Sequence, residues 1–70
     1  MKTRELRDMT EDELRRESRE LRRALFNLRL SQATGQLEKP HRLAATRRDL
    51  ARVLTLLRER ELKAAKEASR

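Results

Sequence analysis

The sequence predicts an all-α protein: an antiparallel two-helix hairpin preceded by a short N-terminal helical turn. The 70-residue chain has one Gly and one Pro, and the two lie close together at Gly35 and Pro40. Elsewhere it is rich in Leu, Arg, Glu and Ala, which favour helices. Leucines recur at steps of three, four and seven residues on both sides of this break, which is typical of helices that pack along a narrow seam.

The N-terminal turn and the first long helix have separate start signals. The turn is expected over residues 4–8, with Thr3 as its cap. The first long helix is expected over residues 11–34, because Thr10 and Glu13 form the T-x-x-E pattern of a capping box. Acidic residues in its first turn also suit the positive end of the helix dipole.

The second long helix is expected over residues 40–65, because Pro40 suits the first position of a helix. Gly35 can adopt the left-handed conformation that ends the preceding helix. The connection between the two is too short for anything but antiparallel neighbours. We therefore expect a single hairpin domain over residues 1–70, with a frayed tail at 66–70.

The seam between the helices is narrow, so the fold is expected to be marginal without a partner. Its predicted residues are Leu14, Ser18, Leu21, Leu25 and Leu28 on the first helix, and Leu43, Leu50 and Leu57, beside Thr46, Val53 and Leu54, on the second. The same stripes would also suit a coiled-coil protein-interaction module.

Positive charge is concentrated in the middle of the chain. There are 19 Lys and Arg residues against 12 Asp and Glu, a net charge of +7. Residues 22–58 hold nine of the basic residues and two of the acidic ones. In an antiparallel hairpin the middle of the chain forms the closed end. The sequence therefore predicts a basic closed half that enters RNA, with the termini directed outward.

Several classes of protein are excluded by composition. With no Cys and one His, a disulfide framework, a thiolate metal site or a His-rich metal site is not expected. No nucleophile, base and acid are placed for catalysis, and no Gly-rich loop could cradle phosphate. We expect no catalytic residues, metal, cofactor, small-molecule substrate, membrane insertion or signal peptide, and action in the cytoplasm.

Arginines on the first helix flank an apolar pair away from the seam. Helical spacing puts Phe26 and Leu30 among arginines that include Arg22 and Arg29. Phe26 could stack on an unpaired base. It could also pack against a neighbouring protein, which is commoner for such a residue, or against the N-terminal turn through Leu6. Phe26 and Leu30 are therefore candidates for contact with RNA or protein.

On the second helix, one face opposite the seam combines basic and small residues. Arg48, Arg52 and Thr55 share this face, with Ala44 and Ala51 alongside. Small residues beside arginines let a phosphate backbone come close.

Three stretches of the chain resemble the bacterial-type large-subunit ribosomal protein L-twenty-nine family. They are KTRELRDMTEDEL at 2–14, LFNLRLSQATGQLEKPHRL at 25–43 and TRRDLARVLTLLRERE at 46–61. The resemblance implies a long helical hairpin with a short N-terminal helix, bound to large-subunit rRNA near the nascent-chain tunnel exit, beside ribosomal protein L-twenty-three. It also implies rRNA contacts by Arg29, Gln36, Arg47, Arg48, Arg52 and Thr55.

Together these observations predict a structural constituent of the large ribosomal subunit that binds rRNA through the Arg-rich closed half, with Arg22 added to the implied contacts. Factors that act at the tunnel exit are further candidate partners. The alternative, a coiled-coil interaction module, does not explain why the charge excess is confined to residues 22–58.

Overall fold

Two long helices lie side by side in the computed structural model, which describes residues 2–35 and 40–68. The three helices are α1 (Thr3–Arg7), α2 (Glu11–Ala33) and α3 (Pro40–Ala68). Helix α3 packs against α2 along the hairpin and against α1 near the chain termini. The molecule is elongated, 53 × 20 × 15 Å. The predicted all-α hairpin with a short N-terminal helix is confirmed.

The start of α2 is fixed by Thr10. Its hydroxyl oxygen accepts a hydrogen bond from the backbone N–H of Glu13 at 3.1 Å, which is one of the two bonds of a capping box. The same hydroxyl donates to Oε1 of Glu13 at 3.1 Å, so the two side chains are joined directly. The predicted cap of α1 is wrong. Lys2 occupies the cap position without a side-chain hydrogen bond, and Thr3 is the first helical residue.

The end of α2 follows the expected pattern, whereas α3 is longer than expected. Helix α2 ends at Ala33, and Gly35 has a φ of 75°, the left-handed conformation that a residue without a Cβ adopts readily. Helix α3 continues to Ala68 rather than ending near residue 65, because no Gly or Pro interrupts it. Fraying of residues 66–70 stays a prediction, since 69 and 70 lie outside the described residues.

The buried core lies in the open half of the hairpin and reaches the middle of α3. Leu6, Leu14, Val53 and Leu56 form one buried cluster, and Met9, Leu21 and Leu57 pack against it. The seam prediction named neither Leu6 nor Leu56. Both are buried because α1 folds back onto α3 and covers its flank. Leu6 packs inside the core cluster, whereas Phe26 is exposed to solvent. The suggested packing of Phe26 on Leu6 is therefore wrong.

Fewer side chains are buried toward the closed end of the hairpin. Leu25 is buried, but residues 26–35 and 40–52 contain no buried side chain, and seam residues such as Leu28, Leu43 and Leu50 are half-buried. The seam side chains that are buried pack against each other within one chain. The fold therefore leaves little of the seam for a second copy, which counts against the coiled-coil alternative.

Candidate nucleic-acid interface

Several ion pairs lie in the open half of the hairpin. Arg16 pairs with Glu20 at 3.5 Å and Arg58 with Glu61 at 3.4 Å, both within one helix. Arg15 pairs with Glu11 in the first turn of α2. Arginine charge near the termini is therefore partly compensated by neighbouring carboxylates, although these pairs are exposed and contribute little stability.

Helix α1 is tied to α3 by polar contacts as well as by Leu6. The guanidinium of Arg60 donates to the backbone carbonyl of Arg7 at 3.2 Å. Arg7 in turn approaches Glu59, with 4.0 Å between Nη1 and Oε2. These contacts fix the position of α1 beside the basic face of α3.

Four arginines of the closed half lack such compensation. Arg22, Arg29, Arg47 and Arg48 are exposed, and none is paired with a carboxylate in the part of the chain that the structure describes. Guanidinium groups remain charged at all accessible pH values and present planar donors that match phosphate oxygens. The closed half is therefore a positively charged surface with free hydrogen-bond donors.

The predicted face of α3 forms one wall of a groove. Arg48, Arg52 and Thr55 line it together with Ala51, Leu56 and Glu59 of the same helix. The hydroxyl of Thr55 donates to the carbonyl oxygen of Ala51 at 2.8 Å, so its oxygen remains available as an acceptor. The structure thus brings together three of the predicted contact residues.

The other wall of this groove comes from α1, which sequence reasoning did not assign to the site. Thr3 and Arg7 line the groove opposite Arg48 and Arg52. Their spacing along the chain gives no signal for this role, because it depends on α1 packing against α3.

Arg47 lies apart from the groove. Successive helical residues are about 100° apart around the axis, so Arg47 points away from α1 although Arg48 lines the groove.

Arg22 and Arg29 are on α2, on the same side of that helix as Phe26 and Leu30, by their spacing of three, four and seven residues. The predicted residues therefore occupy more than one surface of the closed half. Gln36 lies outside the described residues.

Other kinds of site find no support among residues 2–35 and 40–68. Within these residues, no three His, Cys, Asp or Glu side chains are grouped so that they could hold a metal ion. Among the same residues, no helix has the length and apolar character needed to cross a membrane.

Comparison with known proteins identifies the family. Residues 4–60 match the family described as ribosomal L29 protein. The large ribosomal subunit protein uL29 of Persephonella marina is 55% identical over 93% of this chain and 96% of its own length. The corresponding protein of Alkaliphilus metalliredigens is 57% identical over 90% of this chain and 94% of its own.

A third relative, the large ribosomal subunit protein uL29 of Moorella thermoacetica, is 54% identical over 90% of this chain and 94% of its own length. The family match contains the core cluster, the capping box and every predicted contact position. The resemblance inferred from the sequence is confirmed: the chain belongs to the ribosomal L29 protein family.

Proposed function

We propose that this protein is a structural component of the large ribosomal subunit and binds large-subunit rRNA through the closed half of its hairpin. Its relatives are named as proteins of the large ribosomal subunit. Membership of a ribosomal protein family also agrees with the prediction that the chain is not an enzyme.

The observation that carries the rRNA proposal is the separation of core and charge along the hairpin. Fully buried side chains are found in the open half, at Leu6 and Leu14, and near the middle of α3, at Val53. Uncompensated arginines are found toward the closed end. A chain that needed only to fold would gain nothing from repelling charges at its least packed end. Phosphates placed there would remove this repulsion and add charge-assisted hydrogen bonds.

The proposed contacts surround the closed half rather than forming a single patch. Arg48 and Arg52 would bind phosphates along the groove beside α1, while Arg22 and Arg29 would bind them along α2. Such an arrangement suits a rod that enters between RNA segments and is recognised through RNA shape. The proposed contact residues are Arg22, Arg29, Gln36, Arg47, Arg48, Arg52 and Thr55.

The same proposal includes a location and neighbours. By family resemblance, the protein would lie near the nascent-chain tunnel exit of the cytoplasmic ribosome, beside ribosomal protein L-twenty-three. The part of the open half beyond the groove beside α1 would then be directed away from rRNA. It would be the part accessible to factors that act on emerging chains.

The rRNA proposal is tested by the salt dependence of binding. The full chain is titrated with protein-free large-subunit rRNA at several salt concentrations. For about six phosphate contacts, the logarithm of the association constant should fall with the logarithm of salt concentration with a slope of roughly −4 to −5. Binding that is insensitive to salt would reject the phosphate mechanism.

A matched pair of triple variants locates the contacts. The variant R29Q/R47Q/R48Q should bind more weakly and reduce the slope by roughly two to three units, because three phosphate contacts are lost. The control R15Q/R16Q/R58Q removes three exposed arginines that pair with carboxylates in the protein. It should leave the slope nearly unchanged. Equal losses in the two variants would contradict a role specific to the closed half.

A further inference from the structure

Phe26 is a large apolar side chain with no apolar partner in the core. It is the single aromatic residue of the chain, and 65% of it is exposed to solvent. Leu30, one helical turn later, is 54% exposed. The core cluster at the open end takes in Leu6 and contains neither residue. Phe26 and Leu30, one helical turn apart, therefore form an exposed apolar pair, and its neighbours decide what it can bind.

The neighbours of Phe26 are cations. Arg22 precedes it by four residues and Arg29 follows by three, so both share its side of α2. They lie about 10 Å apart along the helix axis, at about 1.5 Å per residue. Neither is paired with a carboxylate in the described part of the chain. The ring therefore lies between two uncompensated positive charges.

This combination favours a nucleic acid over a protein as the occupant. A protein surface would have to supply an apolar pocket and also carboxylates for both arginines. A single RNA strand supplies a flat apolar base and a phosphate on either side of it. Bases within an A-form duplex are stacked on each other and cannot reach the ring, whereas unpaired bases in loops and bulges can.

We propose that Phe26 stacks on an unpaired base of rRNA, with Arg22 and Arg29 holding the phosphates on either side of that nucleotide. Leu30 extends the apolar surface along the edge of the base or its sugar. The proposal rests on the rRNA-binding function above and adds the class of ligand at this surface, a single-stranded nucleotide. Arg48 and Arg52, on the other helix, would bind backbone phosphates alone.

The test uses the absence of Trp and Tyr from the chain. The variant Phe26→Trp carries a single indole at the proposed stacking position. Leu62→Trp is the matched control, because Leu62 is 56% exposed but lies near the end of α3. Addition of saturating protein-free rRNA should strongly quench the emission of the Phe26→Trp protein. It should leave that of the Leu62→Trp protein nearly unchanged.

Affinity measurements separate stacking from general apolar contact. Phe26→Tyr should bind rRNA within about twofold of the unsubstituted chain, because a second aromatic ring can stack. Phe26→Leu and Phe26→Ala should both bind about tenfold more weakly, in line with the typical effect of removing one base–aromatic stack. Circular dichroism should be the same for all variants, since the side chain is exposed.

The outcomes distinguish this inference from the function on which it rests. If the unsubstituted chain fails to bind rRNA in a salt-dependent manner, the proposed function itself fails. If it binds but Phe26→Trp is not quenched and Phe26→Leu binds normally, only the stacking inference is overturned. A change in Trp emission that requires added ribosomal proteins would also overturn it, in favour of a protein contact.

Discussion

At the scale of single residues, burial separates leucines that look alike in the sequence. Leu14 is fully buried in the core cluster, whereas Leu62 is 56% exposed. Leu14→Ala should lower the free energy of unfolding by about 2–5 kcal/mol, because it removes buried methyl groups and leaves a cavity. Leu62→Ala should change it by about 0.5 kcal/mol or less. Urea denaturation followed by circular dichroism would compare the two, and similar losses would contradict the assigned core.

Spacing predicted the leucines that face the partner helix but not those that face α1. Leu14, Leu25 and Val53 were expected in the seam, and all three are buried. Leu6 and Leu56 were missed. Their burial depends on a short helix folding back against α3, and periodicity within one helix carries no information about a third element. Thr3 and Arg7 were missed in the groove for the same reason.

At the scale of elements, the start of α2 depends on one side chain. Thr10→Ala removes the hydroxyl that accepts from the N–H of Glu13, and should lower the free energy of unfolding by about 1 kcal/mol. Thr10→Ser keeps the hydroxyl and should restore most of the loss. Thr3→Ala is the control, because Thr3 is an exposed first helical residue rather than a cap. Thermal unfolding would measure all three, and an equal loss for Thr3→Ala would argue against a special role for Thr10.

Helix boundaries could be predicted where a residue has a local reason to stop or start a helix. Thr10 caps α2, Gly35 takes the left-handed conformation after it, and Pro40 begins α3. The ends of the chain gave no such signal. The predicted cap of α1, Thr3, lies one residue after the observed cap, and α3 extends beyond its predicted end because its last turns contain only helix-compatible residues.

At the scale of the whole molecule, the location of the basic half could be predicted because topology converts position in the chain into position in space. Once the hairpin is antiparallel, most of residues 22–58 must lie toward its closed half, with their excess of positive charge. The distribution of the predicted contact residues over more than one surface could not be predicted in the same way. It depends on the position of α1, which makes Arg48 part of a groove while Arg47 lies outside it.

The separation of core and charge also predicts how the molecule opens. Residues 26–35 and 40–52 contain no buried side chain, so few apolar contacts oppose local unfolding of the closed half. In the free protein, backbone amides of residues 26–33 and 44–50 should exchange with solvent faster than those of residues 14–21 and 53–57. Hydrogen exchange followed by mass spectrometry on short peptides would resolve the two halves.

Binding of rRNA should slow amide exchange most in the closed half, because a ligand that binds only the folded closed half stabilises it by mass action. With saturating rRNA, amides of residues 26–33 and 44–50 should gain the most protection, while those of residues 14–21 gain less. Raising the salt concentration should remove the added protection as phosphate contacts weaken. Uniform amide exchange along the free hairpin would show that the closed half is as stable to local unfolding as the open half. Protection gained mainly around Leu14 would show instead that rRNA approaches the open half.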